Sequence, residues 1–110
     1  MAYSFQVQAM VPVETLVSDI YICEVTLIEL GEYRVRYDFR VFRADIGNKE
    51  RACFTHKEVL SQEDYASLEE AENAYHVLCL KAFTRINQID KNSDKSGFAL
   101  DTEERMAPLD

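Results

Sequence analysis

Two pairs of cysteine and histidine are the residues of this chain best suited to chemistry. Cys53 and His56 are separated by two residues, and His76 and Cys79 repeat the spacing in reverse order. Two thiolates and two imidazoles suit tetrahedral zinc. However, residues three positions apart point to opposite faces of a regular strand, so Cys53 and His56 converge only if a bulge or turn re-aims one of them. We therefore expect no bound metal.

Catalytic and cofactor sites lack the motifs that they require. A cysteine nucleophile needs an adjacent base and a third group that orients it, and nothing near Cys53 and His56 resembles an oxyanion hole. The chain holds only 3 glycines, so phosphate loops and nucleotide-binding fingerprints are absent. We expect no catalytic residue, no cofactor and no enzymatic activity.

Arginines offer a third kind of chemistry, which is contact with phosphate. Arg34, Arg36 and Arg40 alternate along one predicted strand, with Tyr21 and Phe42 expected on the same face. Arginine beside aromatic rings on a sheet is typical of some nucleic-acid modules. The net charge of −8 opposes binding to a polyanion, so a nucleic-acid interface at these arginines is the alternative rather than the leading hypothesis.

Hydrophobic alternation predicts the strands that must position these residues. The pattern has period two, which is typical of half-buried strands. The predicted strands are Ser4–Val11, which Pro12 ends, then Asp19–Leu30, Tyr33–Arg43 and Glu50–Val59, with a turn at Ile46–Lys49 and a polar connector at Ser61–Tyr65.

Gly31 and Glu32 predict a two-residue turn between the two long strands, since glycine suits the first central position of a type II′ turn. That turn pairs Leu30 with Tyr33 and places Glu29 opposite Arg34. The inward residues of the second strand of this hairpin are then Tyr33, Val35, Tyr37, Phe39 and Val41. The same register places Tyr21, Cys23, Val25 and Leu27 on the outer face.

A capping box marks the start of a long helix. Ser67 and Glu70 have the spacing at which the serine hydroxyl accepts from the glutamate amide while the glutamate reaches back. Apolar residues at spacings of three and four then predict one buried stripe. Its members run from Leu68 to Ile89 and are Leu68, Ala71, Tyr75, Leu78, Ala82, Ile86 and Ile89, widened by Cys79 and Phe83.

These elements predict an α+β fold, in which a four-stranded antiparallel meander sheet with a long central hairpin packs against one long C-terminal amphipathic helix. Residues 1–90 form a single domain in this prediction. Residues 91–110 form a polar, acidic tail that is either disordered or carries one capped turn at Asp101–Met106. With 47% hydrophobic and 29% charged residues, the composition is that of a folded globular protein.

Localisation follows from the absence of export signals. No apolar run is long enough to cross a bilayer, and the N-terminus lacks the basic and apolar regions of a signal peptide. An odd number of cysteines, 3, argues for reduced thiols. We therefore predict a cytoplasmic protein without membrane contact.

Exposed apolar positions predict an oligomer. The register above leaves apolar residues on both faces of the hairpin, and Val77 and Leu80 fall on the outer face of the helix. A homodimer, or a higher oligomer, is the simplest cover for such surfaces. The acidic start of the helix, at Glu69, Glu70 and Glu72, favours a basic protein partner.

The first strand carries one motif that resembles a known family. The sequence Phe5-Gln6-Val7-Gln8, with four predicted strands followed by a helix, is similar to the start of SecB-type export chaperones over about the first 60 residues. The longer C-terminal part of that family has no counterpart here. The resemblance implies an acidic, cytosolic oligomer that binds other chains.

Together these observations predict a non-catalytic protein-binding module, such as a regulator, an inhibitor or immunity factor, or a chaperone-like adaptor. The residues assigned to partner binding are Glu69, Glu70, Glu72, Val77 and Leu80.

Overall fold

A computed structural model of the protein describes residues 1–45 and 52–92. Within these residues, four strands form one antiparallel sheet in the order β1-β2-β3-β4, and one helix follows. The elements are β1 (Ala2–Glu14), β2 (Val17–Leu30), β3 (Glu32–Asp45), β4 (Ala52–Tyr65) and α1 (Leu68–Asn92). The predicted α+β fold, a meander sheet with a long central hairpin and one C-terminal helix, is confirmed.

The register of the central hairpin differs by one residue from the prediction. Leu30 pairs with Glu32 rather than Tyr33, and Gly31 alone stands at the apex with a φ of 91°. Glycine tolerates this left-handed conformation because it has no Cβ. A shift of one residue turns every side chain of one strand to the other face, so β2 faces the opposite way to our expectation.

The correct register buries the apolar half of β2. Val25 pairs with Tyr37 and Leu27 with Val35, all at most 1% exposed. Our register would have buried Glu24 and Thr26 in their place. The core therefore lies between the helix and one sheet face, here called the inner face. Its buried residues are Ala9, Val11, Tyr21, Cys23, Val25, Leu27, Val35, Tyr37, Phe39, Val41, Ala71, Tyr75, Ala82, Ile86 and Ile89.

The first strand continues through the proline that was expected to end it. Pro12 pairs with Ser18, and the register shifts only between Pro12 and Glu14. Proline lacks a backbone N–H, but a strand at the edge of a sheet can accommodate it. As predicted, the apolar residues of β1 face the core, and Ala9 and Val11 are buried.

The last strand is longer than predicted and irregular. The segment expected to be a connector, Ser61–Tyr65, is part of β4 and pairs with β3. Register shifts against β3 leave Thr55 and Leu60 without a direct partner, so β4 has two bulges. The predicted turn at Ile46–Lys49 and the predicted strand start at Glu50 lie outside the described residues.

The helix begins where the capping box placed it and ends after the predicted Ile89. The Glu70 amide donates to the Ser67 hydroxyl oxygen at 3.2 Å, and the hydroxyl donates in return to the Glu70 carboxylate at 3.3 Å. The predicted stripe packs on the sheet, but Phe83 does not extend it, because its side chain is 51% exposed. Among the described residues, no helix is long and apolar enough to span a membrane.

Candidate interaction surfaces

Bulged geometry brings Cys53 and His56 to the same face, contrary to our argument from a regular strand. Cys53 pairs with Arg43 and His56 with Val41, so the extra residue Thr55 re-aims one of the two side chains. The His56 Nε2 lies 2.8 Å from the Glu58 carboxylate. The imidazole thus contacts a carboxylate of its own strand.

The second cysteine–histidine pair lies near the opposite edge of the sheet. Cys79 neighbours Tyr75, whose ring contacts Tyr3 of β1 at 5.8 Å between centroids. Burial raises the pKa of the Cys79 thiol, so this thiol is a poorer nucleophile than a free cysteine. Within residues 1–45 and 52–92, no group of three or more histidine, cysteine, aspartate or glutamate side chains is arranged to hold a metal ion.

The helical pattern did not predict that the side chain of Arg85 is buried. Arg85 is 5% exposed, and its guanidinium carbon lies 5.3 Å from the centre of the Phe39 ring. Nearby, the Tyr37 hydroxyl donates to the Cys23 sulfur at 3.8 Å. Burial, and secondarily Cys23, raises the pKa of Tyr37 well above its usual value, which Arg85 partly opposes. The helical stripe gave no signal for Arg85, since cation–π burial depends on which residue lies beneath it.

The three arginines of the alternative hypothesis lie together on the outer face of the sheet, which the helix does not cover. Each is held by a carboxylate. Arg34 makes a two-pronged contact with Asp64, and the shorter N–O distance is 2.9 Å. The other two contacts are Arg36 to Asp38 at 2.9 Å and Arg40 to Glu24 at 3.0 Å. The positive charge expected for phosphate binding is therefore largely neutralised within the sheet.

The three glutamates at the helix start differ in their exposure and in their contacts. Glu69 and Glu70 are exposed, although Glu70 also takes part in the cap. Glu72 instead accepts a hydrogen bond from the Tyr3 hydroxyl at 3.0 Å, which ties the helix to the first strand. The predicted acidic site is thus divided, because Glu69 and Glu70 face solvent while Glu72 is part of the packing between helix and sheet.

Exposed apolar side chains occupy successive turns of the helix. Val77 is 52% exposed and Leu80 is 69% exposed, as expected, and Phe83 joins them at 51%. The separations of three residues follow the helical repeat and form one oblique stripe. We call Val77, Leu80 and Phe83 the helix stripe.

The two edges of the sheet differ in charge and regularity. From Ala2 to Val13, β1 has no Asp, Glu, Lys or Arg side chain, and its pairing with β2 is unbroken from Ala2 to Pro12. The other edge, β4, has two bulges, and its charged residues are Lys57, Glu58, Glu63 and Asp64. Charges, bulges and proline protect an edge from pairing with another chain, so β1 is the unprotected edge from Ala2 to Val11.

A row of apolar side chains crosses the outer face at one end. Register places Met10, Ile20, Phe42 and Phe54 side by side, one from each strand. The Phe42 and Phe54 rings meet edge to face, with 5.8 Å between centroids. Met10 is 52% exposed and Phe54 is 62% exposed. We call these four residues the outer row, which sequence analysis missed because it depends on the true register and on the bulge in β4.

Comparison with known proteins found no match for this chain. No family model, no curated protein and no solved structure matches the chain.

Proposed function

We propose that the chain is a non-catalytic, cytoplasmic protein-binding module that acts as a homo-oligomer. Its role is that of a regulator, an inhibitor or immunity factor, or a chaperone-like adaptor. The observation that carries the proposal is the combination of an unprotected β1 edge with the exposed helix stripe. Both are features of surfaces that other polypeptides cover.

We expect self-association at β1 because the negative charge on the rest of the molecule makes identical chains repel one another. The net charge is −8, and like charges oppose the approach of identical subunits. The uncharged part of β1 lets two chains approach each other there without bringing like charges together. Two copies of β1 can pair antiparallel about a two-fold axis, so that each supplies the backbone donors and acceptors that the other lacks.

Part of the helix stripe lies on the same side of the molecule. Tyr3 of β1 contacts both Glu72 and Tyr75, so the helix lies close to this edge. Phe83 follows Glu72 by three helical turns and projects from the same side. A second subunit paired with β1 would therefore lie close to Phe83 as well. Leu80 would lie at the edge of this contact between subunits.

Size measurement of the full chain tests the oligomer. At micromolar concentration, light scattering should give about twice the monomer mass of 12.7 kDa, or a higher multiple. Gln8→Lys on the β1 edge and Leu80→Glu on the helix should each shift the mass towards the monomer. Gln62→Lys, a change at a residue that is also exposed but on the β4 edge, is the matched control. A monomer for the unaltered protein would contradict the oligomer.

The acidic helix start is the proposed site for a basic protein partner. Glu69 is the cleanest probe, because Glu70 also caps the helix and Glu72 holds Tyr3. In a pull-down from the native extract, Glu69→Gln should weaken recovery of the partner. Glu14→Gln, an exposed change at the far end of β1, should not. Equal recovery with both variants would rule out the helix start as the partner site.

A further inference from the structure

We propose that the outer row, together with Lys57 and Arg40, is a docking site for a partner-protein segment that presents an apolar side chain next to a carboxylate. This site lies on the sheet face opposite the helix. It is separate from the β1 edge and the helix stripe, so it goes beyond the proposed self-association.

The bulge at Thr55 creates this arrangement. In a regular strand, Phe54 and Lys57 would point to opposite faces because they are three residues apart. The extra residue lets Phe54 pair with Phe42 and Lys57 pair with Arg40, so both project from the outer face. Bulges commonly re-aim side chains at functional sites.

The exposure of the row indicates an interface. An edge-to-face pair of phenylalanines, with Met10 and Ile20 beside it, forms a contiguous apolar surface across all four strands. Aromatic side chains and methionine are enriched at protein interfaces, where the central ones supply most of the binding energy. Within the part of the chain that the structure describes, no second layer covers this face of the sheet.

The charges beside the outer row indicate which kind of segment would bind there. The neighbouring row across the sheet consists of Gln8, Ile22, Arg40 and Lys57, so it holds two cations and no carboxylate. Glu24 already pairs with Arg40, whereas Lys57 makes no ion pair with any described residue. An acidic group next to the apolar row would complement this local charge in an otherwise acidic molecule.

The same charge disfavours a second copy at this site. A symmetric contact of the outer row with itself would cover Lys57 with side chains of the same two rows, which contain no carboxylate. Lys57 would then lose water without gaining a counter-ion, which opposes association. We therefore infer an acidic, apolar segment of a different protein as the occupant.

Two matched sets of short synthetic peptides test this inference on the full chain. All contain a central Phe-Leu pair. In one set, a single glutamate occupies each of the remaining positions in turn. In the second set, a lysine replaces that glutamate. Fluorescence anisotropy should detect binding of glutamate peptides, with at least about tenfold preference over their lysine counterparts.

Three variants locate the site. Phe54→Ser should weaken binding of the best glutamate peptide by about tenfold or more, and Lys57→Glu should reverse the preference between the two sets. Val59→Ser is the control, because Val59 is another exposed apolar residue of β4, 47% exposed, outside the row. Circular dichroism should confirm that all three variants fold.

Other outcomes would overturn the inference. These are no binding by any peptide, equal binding of both sets, or an equal loss with Val59→Ser. If Phe54→Ser instead lowers the mass in solution, a second copy occupies the row. If Phe54→Ser shifts the amide NMR signals of residues 93–110, the chain's own C-terminal segment occupies it. The Leu80→Glu variant should still bind the glutamate peptides, which separates this site from self-association.

Discussion

The hydroxyl of Tyr3 donates a hydrogen bond to the carboxylate of Glu72, with 3.0 Å between the oxygen atoms. The contact joins the first strand to the second turn of the helix, and the Tyr3 ring also meets Tyr75 at 5.8 Å. The hydrogen bond to Glu72 raises the pKa of Tyr3, and burial adds to the shift. One glutamate of the acidic helix start thus positions the helix over β1.

Removal of this hydrogen bond should loosen the helix from the sheet. Tyr3→Phe keeps the ring but leaves the Glu72 carboxylate without its donor, so the urea midpoint of unfolding should fall slightly. Tyr33→Phe is the control, since no hydrogen bond from the Tyr33 hydroxyl is present within the described part of the chain. An equal midpoint for the two variants would contradict a stabilising role for the contact.

The hairpin register predicts different effects on stability for the same substitution at Leu27 and at its neighbour Ile28. Leu27 is fully buried, so Leu27→Glu should cost about 3 kcal/mol or more. Ile28 is 38% exposed on the outer face, so Ile28→Glu should change stability by less than about 1 kcal/mol. Chemical denaturation followed by circular dichroism measures both. The reverse order would restore the register derived from a two-residue turn.

Arg34 holds the pKa of Asp64 below its usual value, chiefly through their hydrogen bonds. Because the carboxyl is more acidic in the folded state, its contribution to stability is present above its unfolded pKa. That contribution is lost as pH falls through the lower, folded pKa. NMR titration should show Asp64 ionising below its ordinary pKa, and Arg34→Gln should raise the pKa of Asp64 to its ordinary value or above, because burial alone raises it. An unchanged titration would exclude the ion pair in solution.

Loss of the helix cap should destabilise the protein modestly. Ser67→Ala removes the oxygen that accepts from the Glu70 amide, which should lower the free energy of unfolding by about 1 kcal/mol. Ser67→Asp retains an acceptor at the same position and should remain close to the original stability. If alanine and aspartate gave the same value, the cap would make no net contribution.

Local patterns predicted the elements because each depends on neighbouring residues alone. Alternation in β1 and β3 identified the residues that face the core, and the Ser67–Glu70 spacing located the start of the helix. The capping contacts act within one helical turn, and alternation reflects the backbone geometry of a strand. These features require no knowledge of the rest of the chain.

Only the tertiary structure decided which faces of these elements meet. Gly31 permits more than one tight turn, and burial of Val25 and Leu27 against β3 selects the register in which it stands alone at the apex. The bulge at Thr55 likewise depends on pairing with β3, and it brings Phe54 and Lys57 to the same face. Register and bulges depend on the free energy of burying distant residues together, which local spacing does not contain.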